Sequence, residues 1–144
     1  MDLIERIFHA LTETHPLHPM LVHFPIALTA AALFFILLAL WTKREFFERT
    51  AFANLCLACV GVVAAGLSGL YDNQVNYMGE APNASLKMVL ALALLLVTVV
   101  TCLLRWKNPR LLTDAKLPYV AAYFVSFALA VVLAFLGGVI LYGF

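Results

Sequence analysis

Apolar residues run along this chain in four long blocks, and the polar residues collect between them. Residues 20–41, 50–71, 86–104 and 119–142 are almost wholly apolar, with Asn54 and Lys87 as strongly polar intruders close to block ends. A hydrocarbon core of about 30 Å takes roughly 20 such residues in a helix. The pattern therefore predicts an all-α, integral membrane four-helix bundle, a single transmembrane domain over residues 1–144. Ahead of the first block, Leu3, Ile4, Ile7, Phe8 and Leu11 recur at helical spacing, while Asp2, Glu5, Arg6 and Glu13 take other faces. That is the pattern of a short N-terminal amphipathic helix lying on the membrane interface.

Composition agrees with the blocks. The 144 residues are 65% hydrophobic and 12% charged, with a mean hydropathy of +0.99, far from the half-apolar, quarter-charged balance of a soluble domain. The first residues hold three acids against Arg6 and no apolar core before a small-residue cleavage site, unlike a secretory signal. A formal net charge of +1, without a basic block, speaks against a nucleic-acid partner. The spans leave no room for a sizeable extramembrane domain.

Position of charge predicts orientation. Lys43, Arg44 and Arg49 follow the first span, and Arg105, Lys107, Arg110 and Lys116 follow the third; only Arg6 and Lys87 lie on the other side. Loops rich in Lys and Arg stay in the cytoplasm, so both termini and the second loop are expected outside, in a multi-pass protein of a bacterial inner membrane. Trp41 and Trp106 then mark the inner boundary, and Tyr71, Tyr77 and Tyr142 the outer one.

Small residues recur every fourth position on three spans: Gly61, Ala65 and Gly69; Ala122, Ser126, Ala130, Ala134 and Gly138; and Ala27 with Ala30 or Ala31. Such stripes let helix backbones approach closely. They predict tight packing within the bundle. The Gly61/Ala65/Gly69 and Ala130/Ala134/Gly138 faces equally suit self-association or contact with other membrane subunits, beside the lipid bilayer itself.

All four histidines fall in the first 23 residues, three of them in "HPLHPMLVHFP". A residue before proline is pushed out of the α region, so His15 and His18 are expected to be extended and His23 helical. Pro25 should kink the helix and free a carbonyl near Leu21. Imidazole ligates haem iron, copper and zinc, making His15, His18 and His23 the candidate cofactor-binding residues. Haem b or a metal ion is the candidate cofactor. Five residues separate His18 from His23, about 140° around a helix, so they converge only if the chain bends at Pro19. For His23 the expected partner is Asp72, acting also as an outer support to a cofactor, or the cofactor itself; the plain alternative is a hydrogen bond to a freed carbonyl. His9 reads as solvated.

Cys56-x-x-Cys59 lies inside a span with Cys102 at similar depth, and cysteine there reads as a small apolar packing residue. In the second loop, Asn83 or Ser85 after Pro82 should cap the third helix, and Lys87 should snorkel outward or pair with Glu80. Asn83-Ala84-Ser85 matches a glycosylation sequon too short to weigh. No nucleophile–base pair, carboxylate dyad or phosphate loop marks an enzyme.

"HPMLVHFPIAL" (18–28), "GLSGLYD" (66–72) and "LGGVILYGF" (136–144) together resemble a bacterial membrane family, domain of unknown function 2231. The resemblance implies a small four-helix membrane domain without an assigned activity. Members tend to carry further histidines near the start of the third span and the end of the fourth. Here Lys87 stands near the first place and Leu141-Tyr142-Gly143-Phe144 near the second, so His18 and His23 are what this chain keeps of that set.

Two functions compete on this basis. One is a small accessory or binding subunit, associated with a redox or electron-transfer complex. The other is a haem- or metal-binding electron-transfer protein that uses the outer histidines.

Overall fold

The computed structural model describes residues 2–5 and 17–142. The expected N-terminal amphipathic helix lies mostly outside the described residues, as do His9 and His15. From residue 17 the chain forms α1 (Leu17–Thr42), α2 (Glu45–Asn76), α3 (Ala84–Lys107), the single turn α4 (Leu111–Asp114) and α5 (Lys116–Tyr142). No strand occurs among the described residues. The four long helices are long and apolar enough to cross a membrane. Helices satisfy every backbone group within one segment, which is what a bilayer interior demands.

The connections are tighter than the polar runs suggest. Only Lys43 and Arg44 separate α1 from α2, with Lys43 in the left-handed region (φ 55°) and its N–H returned to Ala39 O at 2.8 Å. The rest of the segment expected as a loop, from Glu45 through Arg49, forms the first turns of α2. Glu45 and Glu48 sit there favourably against the helix dipole. Between α2 and α3, Asn73 holds the turn twice: its carbonyl takes the N–H of Gly79 (2.9 Å), and its side chain takes that of Ala81 (3.0 Å). Gly79 has φ 85°, where a side chain would be strained. Asn83 occupies the N-cap of α3, but in the left-handed region and without a side-chain capping bond.

The helices form a ring in the order α1, α2, α3, α5, each packed on its two neighbours and most extensively at α1–α2. The first of two core clusters gathers Ala32 and Ile36 of α1, Ala51 and Leu55 of α2, and Tyr119 and Tyr123 of α5. The second joins Val62, Leu94 and Ala130 nearer the other end. Buried hydroxyls between them each return to a carbonyl one turn back: Thr29 to Pro25 O (2.7 Å), Thr98 to Leu94 O (2.9 Å) and Ser126 to Ala122 O (2.8 Å).

A buried ion pair closes the end of the bundle near Lys43. Arg105 donates from Nε and Nη2 to the two carboxylate oxygens of Glu48, at 2.5 and 2.7 Å. Tyr119 donates to the same carboxylate at 2.8 Å and lies 2.9 Å from the Tyr123 hydroxyl. Phe52 receives the guanidinium on its ring face, 5.4 Å from the centroid. Glu48 and Arg105 are 4% and 7% exposed, so the bonds replace water almost completely. The clamp ties α2, α3 and α5 together. In the sequence these residues look like ordinary charges flanking spans.

Several expectations about faces change. His18 is helical rather than extended. Residues of a first helical turn have no acceptor behind them, so Pro19 withholds no needed bond. On α1 the buried stripe is Pro25, Thr29, Ala32, Ile36 and Ala39, whereas Ala27 is exposed. The Gly61/Ala65/Gly69 face is occupied inside the chain rather than left for another subunit. A Cβ at Gly61 would stand 3.2 Å from Pro25 Cδ and 3.3 Å from its nitrogen. Among the described residues nothing lies within 4 Å of such an atom at Gly138.

Candidate functional site: a cavity between the helices

Opposite the ion-pair end, residues of all four long helices face a common space. They enclose a cavity of about 380 Å³ that opens among the first turns of α1, the end of α2 and the start of α3. That volume lies within the range of small-molecule sites. Val62, Leu94 and Ala130 of the second core cluster form its floor. Its walls combine small residues such as Gly66, Ala91, Ala134 and Gly137 with larger ones such as Ile26, Leu70, Met88 and Leu133. Polar groups stand at the mouth: His18, His23, Asp72, Asn73, Tyr77 and Lys87.

His18 is held from two sides. Its Nδ1 lies 3.0 Å from Ser68 Oγ, and Ser68 gives its own proton to Ala65 O at 3.0 Å. Ser68 is therefore the acceptor, Nδ1 carries the proton, and in neutral His18 the Nε2 lone pair is unprotonated. Gly69 provides the space, since a Cβ there would come within 2.8 Å of His18 Cε1. Gly69 accordingly faces an imidazole, not a passing backbone.

His23 reaches the same tautomer by another route. Its Nδ1 lies 2.5 Å from Pro19 O, and a carbonyl only accepts, so Nδ1 again carries the proton. The partner is the carbonyl one turn back, neither Asp72 nor the Leu21 carbonyl that Pro25 releases. Asp72 instead accepts from Asn76 Nδ2 at 2.5 Å. It lies within electrostatic reach of His18 and Lys87. Lys87 is half-buried at the mouth instead of turned toward the exposed Glu80.

Three of the four residues expected from the sequence thus meet around one space, namely His18, His23 and Asp72; His15 lies outside the described residues. Ser68, Gly69 and Lys87 complete the arrangement. Ser68 and Gly69 lie in "GLSGLYD" and follow His18 by 50 and 51 positions, a separation no local periodicity links. Among the described residues no group of three His, Cys, Asp or Glu has the geometry to hold a metal ion.

A match to the family described as predicted membrane protein (DUF2231) covers residues 14–144, taking in all four long helices and the cavity. The chain belongs to the DUF2231 family. No curated protein and no solved structure matches it. The DUF2231 match spans the histidine motif on α1, the Ser68–Asp72 segment on α2 and the small-residue end of α5. These are the segments that surround the cavity.

Proposed function

We propose that this DUF2231 protein is a small membrane-embedded binding subunit that takes an amphipathic molecule into its interhelical cavity. The polar head of that molecule lies among His18, His23, Asp72 and Lys87, and its apolar body lies against Val62, Leu94 and Ala130. The observation that carries this reading is the asymmetry of the bundle. One end holds core and ion pair, with a groove along α3 and α5 that has almost no polar lining, while the other leaves a cavity lined by all four long helices under a polar rim. The bias of Lys and Arg toward the ion-pair end supports an outward-facing mouth.

Filling the cavity tests it. Gly66 and Gly137 both line the space with nothing within 4 Å of an added Cβ. The variant Gly66→Leu with Gly137→Leu should keep the fold and lose small-molecule adducts in native mass spectrometry. A lipid-facing control such as Leu96→Phe should retain them. Equal adducts in all three proteins would overturn the proposal.

A second reading has its own support. Both histidines hold Nδ1–H on a local acceptor, which is how ligating imidazoles are usually oriented, with Nε2 left for the metal. Because His18 and His23 stand about 140° apart on α1, this fits one imidazole ligand to the iron of an occupant such as haem b, and with it a role in electron transfer. A Soret band in the purified protein that is lost in His18→Ala or His23→Ala would establish it; purified protein without a chromophore or metal would dismiss it.

A further inference from the structure

The chain has three cysteines, and the fold brings them to one point. Cys56 and Cys59 are three apart on α2, hence on one face, and Cys102 meets them from α3. Cys102 Sγ lies 3.4 Å from Cys56 Sγ and 3.9 Å from Cys59 Sγ. All three are free thiols and half-buried. Packing alone asks only for small side chains at this crossing, and alanine serves that purpose elsewhere in the same bundle. It does not ask for every thiol in the protein to share one contact.

We propose that these residues form a reversible two-electron dithiol–disulfide site within the membrane-spanning bundle, with Cys102 as the shared partner. Closing a Cys56–Cys102 bond requires the sulfurs to move from 3.4 Å to about 2.05 Å. Cys102 packs against the core cluster near the ion pair, which places it beside the two α2 thiols. Cys59 gives the site a second state. As a thiolate it attacks the Cys102 sulfur, forming Cys59–Cys102 and releasing Cys56 as thiolate, with no net change in electrons.

The oxidant suited to this location is a membrane-soluble quinone. Two thiols lose two protons and two electrons and become a disulfide; the quinone takes both protons and both electrons and becomes the quinol. The three thiols are only half-buried and lie on helices long and apolar enough to span the membrane, where such a molecule dissolves. The site lies apart from the cavity and does not depend on what binds there.

The test uses the full chain in membranes, first reduced, then exposed to duroquinone or to the azo oxidant diamide. Free thiols are blocked with N-ethylmaleimide under denaturing conditions and the intact mass is measured. Reduced protein should take up three blocking groups, matching its three free cysteines. Oxidised protein should take up a single group and yield a linked peptide containing Cys102, and dithiothreitol should restore the original uptake. Cys56→Ala should still cross-link through Cys59, whereas Cys102→Ala should show no oxidant-dependent loss of thiols. Unchanged uptake after both oxidants, links only between chains, or a Cys56–Cys59 bond in Cys102→Ala would each overturn the proposal. A disulfide formed with diamide but never with the quinone would overturn the assignment of the oxidant.

Discussion

His18 of α1 rests on Gly69 of α2, its ring occupying space that any other residue at position 69 would fill. A Cβ there would lie 2.8 Å from Cε1, 3.2 Å from Nδ1 and 3.3 Å from Nε2. The contact fixes where the first turn of α1 sits over the cavity, and it distinguishes one glycine from others in the same kind of stripe.

Gly69→Leu should displace His18 and break its bond to Ser68. Overpacking of this kind costs about 1–3 kcal/mol. Gly138→Leu, with open space around it, should be tolerated. Detergent unfolding curves of the two variants compare them directly, and similar losses would show the contact to be unimportant.

The ion pair at the closed end makes a stronger demand. Glu48→Ala leaves the Arg105 guanidinium buried without its carboxylate, and breaking one side of a buried pair costs about 3–5 kcal/mol. The double variant Glu48→Leu with Arg105→Met removes both charges and should recover much of that loss. A double-mutant cycle on thermal stability measures the coupling; additive effects would mean the two side chains act separately.

His18 and His23 should respond differently to alanine. His18 is half-buried and tied to another helix, so His18→Ala removes an interhelical bond worth about 1 kcal/mol and opens the mouth of the cavity. His23 is exposed and bonds within its own helix, so His23→Ala should leave stability nearly unchanged while removing any ligand that uses its Nε2. Stability and co-purified adducts, measured on the same samples, separate the two effects.

Orientation is open to labelling. In a cysteine-free background, Phe46→Cys lies in the first turn of α2 at the ion-pair end and Glu80→Cys in the loop beside the cavity mouth; both native residues are exposed. The distribution of Lys and Arg predicts that an impermeant maleimide added outside intact cells reaches position 80 and not position 46. The opposite pattern would invert the protein.

The four helices long and apolar enough to cross a membrane were legible in the residues alone. A run of about 20 apolar residues is a local property, and charges cannot remain inside such a run without partners. The sequence also brought His18, His23 and Asp72 to notice, because polar groups beside a span stand out against an apolar background. Which way each helix faces was decided only in the tertiary structure. In a soluble bundle the polar side of a helix reveals its buried side by contrast; here the outward side is apolar too, as exposed Phe34, Leu57, Leu96 and Phe135 show. Hydrophobic periodicity therefore carries almost no rotational information. Ala27 and Ala32 look alike in sequence, yet one is exposed and the other fully buried. The pairing of Glu48 with Arg105 across 57 residues, of His18 with Ser68 across 50 and of Cys56 with Cys102 across 46 depends on helix rotation and axial register. Those quantities are set when four helices pack together, since side-chain volume, buried charge and hydrogen bonds then have to be satisfied at once.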